Sequence, residues 1–156
     1  MSTPDPATLA ARHAEAEAEN RNFAYAKPAE RASGRAFVKL AKTDCMEARV
    51  VVLKKGKGEN ILHYHDNGDS CWMVLKGRVR FYGPGDQLIG EFGPMQGTAT
   101  PRFRRYWFEN VGDDDLEMMH VFAIMKPSDR TSIPVPEAGQ TKLPDKVQHF
   151  DARVGT

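Results

Sequence analysis

The 156-residue sequence predicts an all-β domain, an antiparallel barrel or jelly roll, with a short helix before it and an extended arm after it. Two observations predict this class. From Ala36 onward, short runs alternate apolar and polar residues with the period of two that half-buried strands show. Turn residues, above all glycine and proline, separate these runs without an intervening helical pattern.

The length and the charge limit the classes of function. A chain of 156 residues fits one domain with a real core. Lysine and arginine number 22 against 21 acidic residues, a formal charge of +1, so we expect no nucleic-acid partner. No apolar run approaches membrane-spanning length, and no leader is recognisable. With Cys45 and Cys71 as the two cysteines, the sequence predicts a reduced, cytoplasmic protein without membrane attachment.

The two ends of the chain differ from its centre. Residues 1–22 predict a short helix and residues 23–35 a connection, because Asp5 can cap a helix, Pro6 suits its first position, and alanine and glutamate follow. Residues 36–126 predict the barrel. Residues 127–156 contain prolines and polar residues that favour an extended arm, with His149 and Phe150 as a possible anchor.

The strands are predicted from alternation and turn residues, in order along the chain. In the first strand, Ala36, Val38 and Leu40 share one face, and Phe37 and Lys39 share the other. The turn at 83–86 is well specified, because proline presets one central torsion angle and glycine accepts the positive one. The other predicted strands are 47–53, one through His63, 72–77, 79–82, 88–92, 102–110 and 116–124.

The centre of the sequence is a histidine pair. His63 and His65 are two residues apart, so on a strand they point to the same face. Neutral imidazole is the commonest protein ligand of transition metals. The pair precedes a turn-like Asp66-Asn67-Gly68 and an apolar run. An isolated pair of this kind is commonly two surface histidines, but this context favours a candidate metal site.

This stretch resembles the first motif of the cupin superfamily. That motif has His-x-His, then three or four residues, an acidic ligand, six residues and a closing glycine. The sequence has His63, His65, four residues, Ser70, six residues and Gly77. Serine therefore stands at the position of the acidic ligand.

The second cupin motif lies downstream, as the resemblance implies. It reads Pro-x-Gly, two residues, histidine, three residues, asparagine. Pro101 and Asn110 match it, whereas Phe103 replaces the glycine and Tyr106 replaces the histidine. The resemblance covers about residues 48–124 and implies a double-stranded β-helix, a jelly-roll barrel with a cavity at one mouth. It also implies one divalent transition metal (Fe, Zn, Ni or Mn) and a homodimer, with which an exchanged terminal segment would be consistent.

Three further residues bear on the site. On the last strand His120 shares the inward face with Leu116 and Met118, so it is either a third nitrogen ligand or a hydrogen-bonded core histidine. Tyr106 is either a phenolate ligand or an aromatic wall. Ser70, a neutral hydroxyl, is expected to orient a water or a substrate group.

Substrate-binding residues are predicted around the second motif. Arg102 and Arg104 have the parity of Tyr106 on a regular strand, so either could turn inward to bind an anionic substrate or could belong to a solvated rim. Aromatic side chains either line a pocket for an aromatic group or fill the barrel. They are Trp72, Phe81, Tyr106 and Phe108.

Two functions remain open. The favoured one is a metal-dependent enzyme resembling the cupin dioxygenases, isomerases or decarboxylases, which acts on a small, anionic or aromatic molecule through His63 and His65. The alternative is a non-catalytic module that binds or senses a small molecule and has lost its metal. Replacement of the acidic ligand and of the third histidine favours this alternative, and the fold alone does not decide between them.

Overall fold

The computed structural model describes residues 3–29, 31–57, 59–127, 132–135 and 146–155. The rest of the predicted arm, at 128–131, 136–145 and 156, lies outside the described residues. Within the described part of the chain, no helix has the length and apolar character needed to cross a membrane.

The elements follow the predicted order, one helix and then strands. The helix begins after Asp5, whose carboxylate accepts hydrogen bonds from the backbone amides of Ala7 and Thr8. It lies on the surface and ends earlier than residue 22. The elements are α1 (Pro6–Ala18), β1 (Arg35–Lys42), β2 (Met46–Leu53), β3 (His63–Tyr64), β4 (Gly68–Lys76), β5 (Val79–Tyr82), β6 (Leu88–Phe92), β7 (Gly97–Thr100), β8 (Trp107–Asn110), β9 (Leu116–Ile124), β10 (Ile133–Pro134) and β11 (Val147–Asp151).

The strands form two main sheets and one short pair. The larger sheet has six strands in the order β11-β1-β2-β9-β4-β7, and the smaller has three in the order β6-β5-β8. Strands β3 and β10 pair separately. Neighbours in the sheets pair antiparallel, except β1 with β11. The predicted all-β jelly roll is therefore confirmed.

The main core lies between the two large sheets. Its side chains come from the inward positions of β2, β4, β5, β8 and β9, together with Tyr106. Leu116 and Met118 belong to this core, as the period-two pattern predicts. The buried members are Val51, Leu53, Trp72, Val74, Val79, Phe81, Tyr106, Phe108, Leu116 and Met118.

A second core lies on the opposite face of β1 and β2. It contains the apolar face of β1, formed by Ala36, Val38 and Leu40, together with small and branched residues of β2. Residues from both ends of the chain cover it, including Tyr25 and Phe150. The terminal segments bury this apolar face of β1. The face of β1 that is turned toward the main core therefore carries the alternate side chains of the strand, such as Phe37.

The predicted homodimer stays a prediction.

Two glycines explain local geometry. Gly77, the closing glycine of the first motif, has φ +95° in the turn between β4 and β5, where a side chain would be strained. Gly97 begins β7, a strand that the sequence pattern did not predict. A Cβ at Gly97 would lie 1.8 Å from the carbonyl oxygen of Trp72, so only glycine permits this approach of β7 to β4.

Candidate ligand-binding site

A cavity of about 230 Å³ lies among the inward side chains of several strands. All three predicted histidines line it, together with Trp72 and Tyr106. The other lining residues are Arg35, Phe37, Arg49, Asn60, Ile61, Ser132, Pro134 and Val147.

The histidine pair forms one wall of the cavity. His63 and His65 are each 8% exposed, and their rings meet edge to face with centroids 5.2 Å apart. The Nδ1 of His63 lies 2.8 Å from the carbonyl oxygen of Ile61, which can only accept, so Nδ1 carries the proton. Backbone bonds between His63 and Tyr106 fix the pair against the second-motif segment.

His120 is held from three sides. Pairing of β9 with β2 and with β4 places it between Arg49 and Trp72. Arg49 Nε donates to His120 Nδ1 at 3.1 Å, and the ring stacks on Trp72 at 3.9 Å between centroids. Because guanidinium cannot accept, His120 Nδ1 must be the acceptor. Its Nε2 then carries the proton in the neutral ring and donates to Ser70 Oγ at 2.9 Å.

Burial in the cavity favours the uncharged forms of His63, His120 and Tyr106. Burial lowers the pKa of His63 to about 4, and the neighbouring His65 and Arg35 act in the same direction. Burial, followed by Arg49, lowers the pKa of His120 well below its usual value. Burial raises the pKa of Tyr106 to about 12, so the phenol stays protonated. At neutral pH these three groups are therefore uncharged, and Arg35 and Arg49 supply positive charge to the cavity.

Arg35 and Arg49 place two guanidinium groups at this site. Their central carbons lie 4.9 Å and 4.0 Å from the ring centroid of Phe37. Burial, with a further contribution from Arg49, lowers the pKa of Arg35 to about 10. Burial also lowers the pKa of Arg49. Both arginines still carry their charge at neutral pH.

Tyr106 is a wall residue in this arrangement. Its side chain is 1% exposed, and its hydroxyl oxygen lies 3.2 Å from Nε2 of His65. The ring packs against Trp72 and Phe81 in the main core. With its pKa raised by burial, the phenol is a poor source of a phenolate ligand.

The residues present do not fit a divalent metal well. His63 presents the lone pair of Nε2, as a ligating histidine does. Both nitrogens of His120, however, are occupied by Arg49 and Ser70. The described residues that line the cavity include two cations and no carboxylate, and repulsion from arginine disfavours a dication. In the described part of the chain, no group of three or more histidine, cysteine or acidic side chains is arranged to hold a metal.

Several predicted residues lie elsewhere. Ser70 is buried behind His120 and positions that ring. Phe81 and Phe108 fill the main core rather than line the cavity. Arg102 and Arg104 are exposed. The parity argument for these arginines fails, because 102–105 is a turn and not a strand.

The backbone explains this failure of parity. Phe103 has φ +67°, and its amide donates to the carbonyl oxygen of His65. Such a residue interrupts the alternation of side chains that a regular strand would continue. The strand β8 begins only at Trp107.

Arg35 and Arg49 are the site residues that the sequence analysis missed. The alternation of side chains along the strands could have indicated them. Arg49 shares a face of its strand with Val51 and Leu53, and Arg35 shares a face with Phe37. Parity alone does not say which face of a strand is inside. The structure decides this, since both ends of the chain bury the other face.

Comparison with known proteins supports the fold. No protein-family model matches the sequence, and no curated protein sequence matches it. An uncharacterized conserved protein with a double-stranded β-helix domain from Klebsiella pneumoniae is similar in structure, with a TM-score of 0.61 and 16% identity. The match covers 76% of this chain and 100% of that one.

Two further structures are similar. A cupin family protein from Methanocaldococcus jannaschii has a TM-score of 0.56 and 17% identity, over 68% of this chain and 92% of that one. An oxalate oxidase in complex with the substrate analogue glycolate has a TM-score of 0.53 and 19% identity, over 72% of this chain and 66% of that one. At such identities the likeness is one of fold. The resemblance read from the two sequence motifs is thus confirmed in three dimensions, and the chain has the double-stranded β-helix fold of the cupin superfamily.

Proposed function

We propose that this cupin-fold chain binds a small molecule in the histidine-lined cavity without a metal ion. The observation that carries the proposal is the state of His120, whose two nitrogens are bonded to Arg49 and Ser70. The third nitrogen needed for a three-histidine centre is therefore already occupied. The volume of about 230 Å³ suits a ligand smaller than a drug-sized molecule.

A ligand screen with a cavity-filling variant tests this proposal. Ile61 lines the cavity, so Ile61→Trp should fill it, while Leu88→Trp adds the same bulk at a site that is 56% exposed. Compounds that raise the thermal unfolding midpoint of the wild type should do so in Leu88→Trp and not in Ile61→Trp. Added chelator should leave these shifts unchanged. Ligands that stabilise Ile61→Trp as well as the wild type would contradict the assignment to this cavity.

A metal-dependent enzyme of the dioxygenase, isomerase or decarboxylase class is the second candidate. One observation favours it: the bond from His63 Nδ1 to Ile61 leaves Nε2 available for a metal. Elemental analysis of untagged protein, compared with the His63→Ala/His65→Ala variant, distinguishes the candidates. We expect little bound metal in both proteins. About one metal ion per chain in the wild type, lost in the variant, would favour the enzyme instead.

A further inference from the structure

Arg35 is a partly buried cation, and no acidic side chain among the described residues forms an ion pair with it. The Nε of Arg35 is buried, and no acceptor among the described residues bonds to it. Its one described ring contact is with Phe37, at 4.9 Å from the guanidinium carbon to the ring centroid. Leaving a buried donor unsatisfied costs about 1–3 kcal/mol, and more for a charged group. Native proteins tolerate this cost mainly where a ligand, an ion or a water supplies the acceptor.

Arg49 adds a second cation to the same cavity. Only its Nε is used by His120, and its described ion pair, from Nη1 to Glu47 Oε1, is long at 3.8 Å. Glu47 does not line the cavity. Arg35 and Arg49 both approach the ring of Phe37 and repel one another. An anion between or beside them would offset this repulsion.

The remaining walls determine what else the ligand carries. Trp72, Tyr106 and Phe37 present aromatic surface, and Ile61 and Pro134 present aliphatic surface. No acidic side chain among the described residues lines the cavity to compete for the guanidinium groups. The cavity thus offers two forked donors and an apolar remainder, which is the arrangement that binds an oxyanion group on a small apolar body.

We propose that Arg35 and Arg49 bind the oxyanion group, a carboxylate or a phosphate, of the small ligand, and that the aromatic wall packs against its apolar part. This inference rests on the proposed function, because it assigns the ligand class of the same cavity. Arg35 supplies the unsatisfied Nε donor, and Arg49 supplies its terminal nitrogens while Nε holds His120 in place.

Calorimetric titration at constant ionic strength tests the inference with three probes: sodium benzoate, its neutral counterpart benzamide, and inorganic phosphate. Benzoate or phosphate should bind at least about tenfold more tightly than benzamide, because a charge-assisted hydrogen bond contributes about 1.5–3 kcal/mol. Preference between benzoate and phosphate identifies the oxyanion. In ¹⁵N spectra, the Arg35 Nε resonance should shift as the anion binds.

Matched variants locate the binding. Arg35→Gln should weaken anion binding about tenfold or more, and Arg35→Lys, which keeps the charge but not the fork, should weaken it less. Arg104→Gln removes the same charge from an exposed position and should change the affinity less than about twofold. Because Arg35→Lys keeps the charge, it also serves as the second variant if Arg35→Gln fails to fold, and it then shows whether anion binding is weakened in a folded protein.

The outcomes separate the two proposals. If anions bind equally to the wild type and Arg35→Gln, or if benzamide binds as tightly as the better of the two anions, the oxyanion inference is wrong. The inference is also wrong if the three probes fail while the screen finds neutral ligands that Ile61→Trp excludes, and the proposed function then stands. If the screen finds no ligand that depends on the cavity and the anions do not bind, both are wrong.

Discussion

Two groups of arginines lie close to the histidine pair, and they differ in surroundings. Arg102 and Arg104 lie in the 101–105 turn, exposed to solvent. The Nε of Arg102 is 3.7 Å from Asp69, and both side chains are about half exposed, at 42% and 52%. Arg35 lies on β1 and Arg49 on β2, and their side chains line the cavity, where burial lowers the pKa of each guanidinium group.

The comparison shows that a dense run of charge in a sequence does not mark the arginines that line the cavity. Water solvates and screens the arginines of the turn, so an anion gains little by contacting them. A partly buried arginine on a strand costs folding free energy, and under the proposal a bound oxyanion would offset that cost. Three predictions test this difference, beginning with the largest expected effect.

The first prediction concerns pH and the charge of the cavity. His63 has a pKa of about 4 when folded, against 6.5 as its ordinary value, so the unfolded chain binds more protons between these pH values. Stability should therefore be full above pH 6.5 and fall as the pH drops toward 4. Urea unfolding should show a loss of about 2 kcal/mol from this group between pH 7.5 and pH 5. His120 acts in the same direction.

His63→Gln provides the comparison for this measurement. The variant should lose the part of the pH dependence that belongs to His63, whatever its stability at pH 7.5. The carboxylates whose pKa is lowered, Asp5, Glu91 and Asp151, do not interfere, because they lose their stabilisation mainly below pH 5. An identical pH profile in wild type and variant would show that His63 is not buried as a neutral ring.

The second prediction concerns the stability cost of Arg35, which has no ion pair with an acidic side chain among the described residues. Arg35→Met should raise the free energy of unfolding of ligand-free protein by about 1 kcal/mol, because it removes burial of a charge and repulsion from Arg49. Lost contact of the cation with Phe37 offsets part of the gain. Arg104→Met should change stability by less than about 0.5 kcal/mol. Urea unfolding in anion-poor buffer measures both.

The outcome would show whether Arg35 lowers the stability of the ligand-free protein and strengthens anion binding. We expect Arg35→Met to be more stable but to lose the stabilisation that benzoate or phosphate gives the wild type. A variant that is markedly less stable than the wild type would indicate that Arg35 has a structural role. In that case the cavity charge would need another explanation.

Much of the fold could be predicted because strands and turns leave local signals. The alternation in 116–124 correctly placed Leu116 and Met118 in the core, and Gly77 correctly marked a turn. Strand β7 escaped prediction because Gly97-Thr98-Ala99-Thr100 has no large apolar residue. Its place depends on close contact with Trp72, which is a tertiary effect.

The site was less predictable, for two physical reasons. Period two shows which residues share a face of β1 but not which face is covered, and here Tyr25 and Phe150 cover the more apolar one. The cavity therefore receives Arg35 instead of Val38. At the second motif, the positive φ of Phe103 breaks the alternation on which the placement of the turn arginines depended.

The third prediction concerns the arginines of the turn and has the smallest effect. Phe103 is bonded to His65, so the turn lies beside the cavity and its positive charge can attract an approaching anion. Arg102→Gln/Arg104→Gln should lower the association rate of benzoate about twofold at low ionic strength and leave dissociation unchanged. Stopped-flow fluorescence of Trp72, which lines the cavity, can follow both rates. The difference should disappear in high salt, where the Debye length is about 3 Å. A faster dissociation in this variant would instead place these exposed guanidinium groups in contact with the bound anion, and the distinction between the two arginine groups would fail.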